Sequence, residues 1–322
     1  MFDVVVVGMG PNGLSVLYQL SKYSLKVVGL DKGDTCNHIR SYPKDMIFFS
    51  TSEKLTLDGF EMKSKNGSNP TLKEACDYYE SFAARHNLNI LNFSEVESVS
   101  DEDNDFTLSL KYGQKAHTRK VVLTTGIYSN PNYLNVPGED GSNVSHYFSG
   151  SSLIKNKNVL IVGAGNSAVE AALDLSKNNN VLLSCRRSSP NPSRIKKWIY
   201  PDFLNSINSK KITLLGDSSL TSLENSHASF KVQNSLIFNF DFDHCFLLTG
   251  YRPDKKFLIN GCGLRLEGDL QIPKHNIKTY ETELKGIYVG GALVEGMNNL
   301  RVFIEHGRLH GKPIAEDIYA KI

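Results

Sequence analysis

Two strand–glycine–helix signatures in one chain constrain this sequence more than any other feature. The first is Val4–Leu20, VVVVGMGPNGLSVLYQL. Four consecutive valines suit a strand buried on both faces of a parallel sheet. Gly8, Gly10 and Gly13 follow at G-x-G-x-x-G spacing, and Leu14, Leu17 and Leu20 then give one apolar side of a helix. In such a motif the first glycine makes the tight turn, the second lets backbone approach a pyrophosphate, and the third lets helix pack on strand. Pro11 falls just inside the helix start, where its missing N–H costs little. The first amides and the positive helix end, from Pro11-Asn12 onward, then face a diphosphate. A second apolar run, Leu25–Leu30, ends in Asp31-Lys32. An acid about 20 residues beyond the motif is placed to bind a ribose. Without that context the motif would be an ordinary glycine-rich turn.

The second signature is Asn158–Glu170, NVLIVGAGNSAVE, with Gly163, Gly165 and Ala168 at G-x-G-x-x-A spacing and Asn166-Ser167 opening the helix. The next strand, Val181–Cys185, ends in Arg186-Arg187 instead of an acid. An acid would favour the free 2′-hydroxyl of NAD; arginine accommodates a 2′-phosphate, so NADPH is expected. Paired arginines also suit a solvated surface, but their position relative to the glycines favours the phosphate. Three further apolar strands end at small residues: Lys120–Gly126 at Thr125-Gly126, His244–Gly250 at Gly250, and Gly286–Gly291 at Gly290-Gly291. Small residues belong where backbone must approach a cofactor at the carboxyl edge of a parallel sheet. One dinucleotide site would suit a dehydrogenase, an epimerase or a binding protein. Two suggest a relay from a nicotinamide to a tightly held flavin.

At 322 residues the chain is long enough for two domains. Its formal charge of +2 points to neither nucleic acid nor an anionic membrane. Every apolar run falls short of a membrane span. The N-terminus reads as a strand of the fold and not as a signal peptide. Cys36, Cys76, Cys185, Cys245 and Cys262 are scattered, with no C-x-x-C, which argues against a disulfide framework and a zinc site. A cytoplasmic protein with no metal is expected.

Between the signatures, Phe48-Phe49 stands beside Ser50-Thr51-Ser52. An aromatic pair suits a core turn; Phe49, Ser50 and Thr51 also suit a loop lining a flavin ring. Asn66–Pro70 is turn chemistry. Leu72–His86 reads as a helix. Asn89–Phe93, Glu95–Ser100, Phe106–Tyr112 and Ala116–Leu123 read as strands of a small antiparallel meander. His306 and His310 lie four apart on a predicted C-terminal helix, without the order of a metal-binding H-E-x-x-H. Lys196, Lys197 and Trp198 read as a surface or a lid over the nicotinamide region, and Tyr251-Arg252 as a domain crossover.

With both motifs placed, the layout resembles the two-dinucleotide flavoproteins of the thioredoxin-reductase kind, and within them the bacillithiol-disulfide reductase (YpdA-type) family. The residues that carry this are Tyr42–Leu55, Asn130–Asp140, Ser145–Phe148, Asn191–Phe203, Thr249–Asp254 and the tail Asn298–Gly311. The resemblance covers nearly the full length. It implies an α/β fold of two Rossmann-like domains. An FAD domain over residues 1–128 and 249–322 is interrupted by an NADPH domain over 129–248. It implies FAD at Gly8, Gly10, Gly13 and Asp31, and NADPH at Gly163, Gly165, Ala168 and Arg186. It also implies that a helix after Asn298-Asn299 points its positive end at the flavin. A homodimer or higher homo-oligomer is expected.

Two departures bear on the reaction. Small thioredoxin reductases carry a C-x-x-C before the second glycine motif; here that stretch is His146-Tyr147-Phe148-Ser149. Bacillithiol-type reductases often carry a cysteine in the first loop, as G-P-C-G; here it is Gly10-Pro11-Asn12-Gly13. Asparagine cannot attack a disulfide. The expected activity is that of an NADPH-dependent flavin reductase passing electrons to a small molecule or small redox protein. Asn12 and Cys36 are its candidate catalytic residues. Cys36 follows Asp31 in a loop where several disulfide reductases keep a redox cysteine, but Ser41 stands where a second cysteine could have been, and an unremarkable loop thiol is the favoured reading. A flavin monooxygenase acting on nitrogen or sulfur is the alternative, and a non-catalytic redox sensor the third reading.

Overall fold

The computed structural model describes all residues except 66, 103, 104, 234, 299 and 300. Asn66, expected in a turn, and Asn299, expected beside a cofactor, therefore lie outside the described residues. The chain divides into two compact units, Met1–Asn130 with Tyr251–Ile322, and Pro131–Gly250.

The first unit begins with β1 (Phe2–Val7), α1 (Pro11–Ser21), β2 (Val27–Leu30), α2 (Asn37–Arg40), α3 (Ser52–Leu55) and α4 (Leu72–Arg85). Strands β3 (Ile90–Leu91), β4 (Val96–Glu102), β5 (Asp105–Leu110) and β6 (Lys115–Leu123) follow. Val4, Val5 and Val6 are wholly buried, which is why a strand this apolar is stable only at the centre of a sheet. β1 lies between β2 and β6, parallel to both. The start of α4 is fixed by a capping box: the Thr71 hydroxyl accepts from Glu74 N, and Glu74 accepts from Thr71 N.

Two strand expectations need correction. β3 does not belong to a meander; it pairs parallel with β2 and extends the dinucleotide-binding sheet. β6 is a single strand that does two jobs. Its first half closes the β4–β5–β6 antiparallel meander, and its second half runs parallel to β1.

The second unit carries β7 (Val144–Ser145), β8 (Asn158–Val162), α5 (Asn166–Leu175), β9 (Asn180–Ser184), α6 (Tyr200–Asn208) and β10 (Ile212–Leu215). Strands β11 (Ser218–Glu224), β12 (His227–Val232), β13 (Leu236–Asp241) and β14 (His244–Leu247) complete it. Its parallel sheet has the order β10-β9-β8-β14-β7, and β11–β13 form a separate antiparallel sheet. The apolar side of α5, including Ala168, Val169, Ala172 and Leu175, is buried in the core.

The chain returns to the first unit through β15 (Leu266–Glu267), β16 (Ile272–Pro273) and β17 (Ile287–Val289), then α7 (Ile304–Gly307) and α8 (Gly311–Ala320). β17 pairs parallel with Val121–Leu123 of β6. The expected C-terminal helix is thus two helices, broken after Gly307. Both glycines sit at close approaches. A Cβ on Gly307 would lie 3.2 Å from Gly291 Cα, and one on Gly311 would lie 2.5 Å from Ser15 Oγ. Among the described residues no helix is long and apolar enough to cross a membrane.

Candidate functional site

In the first unit the loop after β1 is built around its glycines. Gly8 has φ +98°, and a Cβ there would lie 2.7 Å from Thr124 O. A Cβ on Gly13 would lie 1.9 Å from Gly8 O. The Thr124 hydroxyl donates to Gly8 O at 2.7 Å and locks the turn to the end of β6. Gly10 differs: a Cβ there would meet nothing within 4 Å. It is the extended N-cap of α1 and gives the helix no side-chain cap. Open space beside uncapped amides at the positive end of a helix is what a diphosphate needs.

Asp31 follows β2, and its carboxylate accepts from Met9 N at 2.6 Å and Gly33 N at 2.9 Å. Burial raises its pKa, against the lowering effect of those two amides. The acid therefore shapes the loop as well as facing the sheet's carboxyl edge. Lys32 beside it is exposed, while Thr125 and Gly126, at the end of β6, are half-buried.

Asn12 sits in the second position of α1. Its Nδ2 donates to Gly307 O, at the end of α7. Its Oδ1 is buried and has no hydrogen-bond partner among the described residues. Gly290 and Gly291, after β17, press on it: a Cβ on Gly290 would lie 2.6 Å from Asn12 Oδ1. The structure thus brings the first glycine loop, the turn after β17 and α7 to one point.

The predicted flavin loop is anchored there too. Phe48 is core, whereas Phe49 is half-buried with its ring edge-on to Phe303 at 5.5 Å. The buried Ser50 hydroxyl donates to Glu305 Oε1 on α7 at 3.0 Å, and Thr51 is the N-cap of α3. Asn298 is half-buried, and its Nδ2 donates to Glu295. Thr124 carries no sequence signal as a site residue, and the His306/His310 helix face, expected to be solvated or flavin-adjacent, gives no hint that Glu305 meets Ser50 or that His310 meets Gly291.

Cys36 stands away from solvent. It is 2% exposed and packs in the core with Leu14, Ile39 and Phe82. Burial pushes its thiol pKa well up, which disfavours the thiolate that reactivity needs. All five cysteines are free and buried.

The second unit repeats the cradle. A Cβ on Gly163 would lie 2.3 Å from Leu248 O, whereas one on Gly165 would meet nothing within 4 Å. Gly165 is the extended N-cap of α5, again without a side-chain cap. Ala168 is buried and Ser167 exposed. Asn166 is partly spent on structure, since its Oδ1 accepts from Lys196 N at 2.8 Å while Lys196 Nζ pairs with Glu170 at 2.7 Å. Trp198 nearby in sequence is exposed. Arg186 and Arg187 are exposed just beyond β9. Gly250 has φ +92° and closes the unit, its carbonyl accepting from Asn132 N.

A half-buried histidine, His38, and a buried one, His310, give the first unit a pH prediction. Burial lowers both His38 and His310 from the usual 6.5 to about 4. Each is neutral when folded and takes a proton on unfolding between those values. Their stabilising contribution is complete above pH 6.5 and is lost as pH falls through 4. Denaturant titrations across that window are expected to show the unfolded state binding about one proton less per histidine replaced, starting with His38→Gln. An unchanged slope in that variant would count against the assignment.

Each unit, then, is a Rossmann-like α/β layer with an open glycine cradle, so the chain is of the two-dinucleotide class. The chain belongs to the pyridine nucleotide-disulphide oxidoreductases, whose family model matches residues 5–291. It is 31% identical to the bacilliredoxin reductase Bdr of Bacillus subtilis (strain 168) over 315 residues, 98% of this chain and 96% of that one. The solved bacillithiol disulfide reductase Bdr (YpdA) of Bacillus cereus is similar at TM-score 0.95 and 31% identity, covering 100% of this chain and 99% of that one. The Staphylococcus aureus counterpart matches at TM-score 0.94 and 30% identity, covering 99% and 98%. The protein is a flavoprotein oxidoreductase whose cofactors are FAD and NAD(P)H.

Proposed function

We propose that this enzyme takes hydride from NADPH and releases the electrons to a small molecule or small redox protein with no cysteine of its own in the relay. The carrying observation is the burial of every cysteine, with asparagine at position 12. FAD supplies the two-electron chemistry when bound. The residues of the first unit fit it. The α1 amides beyond Gly10 would hold the diphosphate, Asp31 would accept from ribose hydroxyls, and the Phe49–Thr51 loop with Gly290-Gly291 would shape the rest of the cradle. In the second unit the α5 amides beyond Gly165 would hold the NADPH diphosphate. Arg186 and Arg187 would take its 2′-phosphate. Asn12 fastens the first loop to α7 and keeps those amides in place.

The relatives' names make bacillithiol disulfide and a bacilliredoxin the first acceptors to test. A monooxygenase draws on the same observation, because hydroxylation of nitrogen or sulfur needs no protein thiol. Five free thiols suit a reducing cytoplasm, and the proposed assembly is a homodimer or higher homo-oligomer. The deciding experiment is anaerobic reduction of the purified yellow protein with NADPH against NADH, followed by an acceptor screen that includes oxygen. Failure of NADPH to bleach the flavin would refute the proposal and leave a sensor as the better account.

Asn12→Cys is a sharper probe. Loss of the bond to Gly307 O is expected to cost about 1 kcal/mol in stability. Gain of NADPH-dependent disulfide turnover is expected, since a thiol would then stand in the loop. If none appears with any disulfide tried, the site is not shaped for that substrate class.

A further inference from the structure

We propose that His310 is a positioning residue for the FAD cradle, holding the Gly290–Gly291 turn against Asn12. The inference rests on the reading that the first glycine motif holds FAD. His310 immediately precedes α8 and is 6% exposed. Its ring stacks on Tyr280, with centroids 4.4 Å apart and planes 19° from parallel. Its Nδ1 accepts from Gly291 N at 3.1 Å in buried surroundings. An accepting Nδ1 places the ring proton on Nε2, so the bond itself assigns the tautomer.

The turn is gripped from two sides. Gly291 has φ +65°, and a Cβ there would lie 3.2 Å from Asn12 Cβ. Gly307, whose carbonyl accepts from Asn12, would with a Cβ lie 3.2 Å from Gly291 Cα. On the far side, His310 Nδ1 is the acceptor used by the Gly291 amide. Removing that acceptor leaves a buried donor unpaired beside Asn12 Oδ1, a buried acceptor without a partner among the described residues. The turn then moves toward Asn12, and Asn12 is part of the helix start that faces the diphosphate. The proposed role runs through the turn, because Nδ1 is spent on the Gly291 amide.

Two substitutions separate its functions. His310→Phe keeps a ring over Tyr280 and removes the acceptor. His310→Asn removes the ring and returns an acceptor near the place of Nδ1. FAD is titrated into each apoprotein, reading the dissociation constant and the visible band of the bound flavin. His310→Phe is expected to bind FAD about tenfold more weakly with a shifted band, the scale of one buried donor left unpaired. His310→Asn is expected to recover most of that affinity. Binding within about twofold of wild type in His310→Phe, or no recovery in His310→Asn, would overturn the proposal. Should His310→Phe fail to fold, Tyr280→Leu decides: it breaks the stack and spares Nδ1. Affinity within about threefold of wild type supports the proposal, and a tenfold loss overturns it. Wild-type protein that binds no FAD would refute the cofactor assignment itself, a result distinct from tight binding by His310→Phe.

Discussion

Gly13→Ala is expected to yield a colourless, destabilised protein, and Gly10→Ala a stable one that holds FAD poorly. The contrast comes from what each methyl group meets. At Gly13 it would lie 1.9 Å from the carbonyl oxygen of Gly8, backbone that cannot rotate away, and 2.8 Å from Thr124 Oγ1. Relief requires α1 to move off β1, and overpacking of that kind costs about 3 kcal/mol or more. At Gly10 it would meet nothing of the protein within 4 Å. On the proposed assignment it would stand where the diphosphate binds. Denaturation midpoints and the flavin-to-protein absorbance ratio of the purified variants check both. Full flavin content in Gly10→Ala would refute the pyrophosphate assignment of the first loop.

Removing both Arg186 and Arg187 as alanines is expected to lower kcat/KM for NADPH about 100-fold while changing that for NADH less than threefold. Each hydrogen bond to a charged group contributes about 1.5–3 kcal/mol, so two lost contacts reach that scale. Both side chains are exposed, so their loss leaves folding untouched. Steady-state kinetics with the two nicotinamides reads the ratio. An equal loss with both cofactors would mean that the arginines serve the surface and not the 2′-phosphate.

The two glycine signatures, the acid after β2 and the arginines after β9 are legible in sequence because each is a local pattern tied to one turn of chain. The family is legible for the same reason, through short runs such as Tyr42–Leu55 and Asn298–Gly311. What escapes is whatever depends on distant segments meeting. Glu305 matters because Ser50 donates to it, and His310 because Gly291 does. No periodicity records such pairings. The composition of Ile90–Leu91 is that of any short strand, so only its pairing with β2 places it in the parallel sheet and not in the meander. Cys36 is the left-handed residue, φ 59°, of the turn before α2, and nothing local in the sequence records that its side chain is buried there. Gly307 and Gly311 flank the break between α7 and α8, and their small size admits Gly291 and Ser15 at close range.

The pairing of β17 with β6 has a consequence for biosynthesis. Val121–Leu123 emerges from the ribosome long before Ile287–Val289, and the whole of Pro131–Gly250 is made in between. That intervening unit owns a complete parallel sheet and can fold while the edge of β6 waits unpaired. An open, valine-rich edge is a template for wrong partners until its own strand arrives. Gly290-Gly291, α7 and the anchor of Asn12 arrive later still. A nascent chain released before β17 would hold both glycine motifs and still be unable to close the first of them.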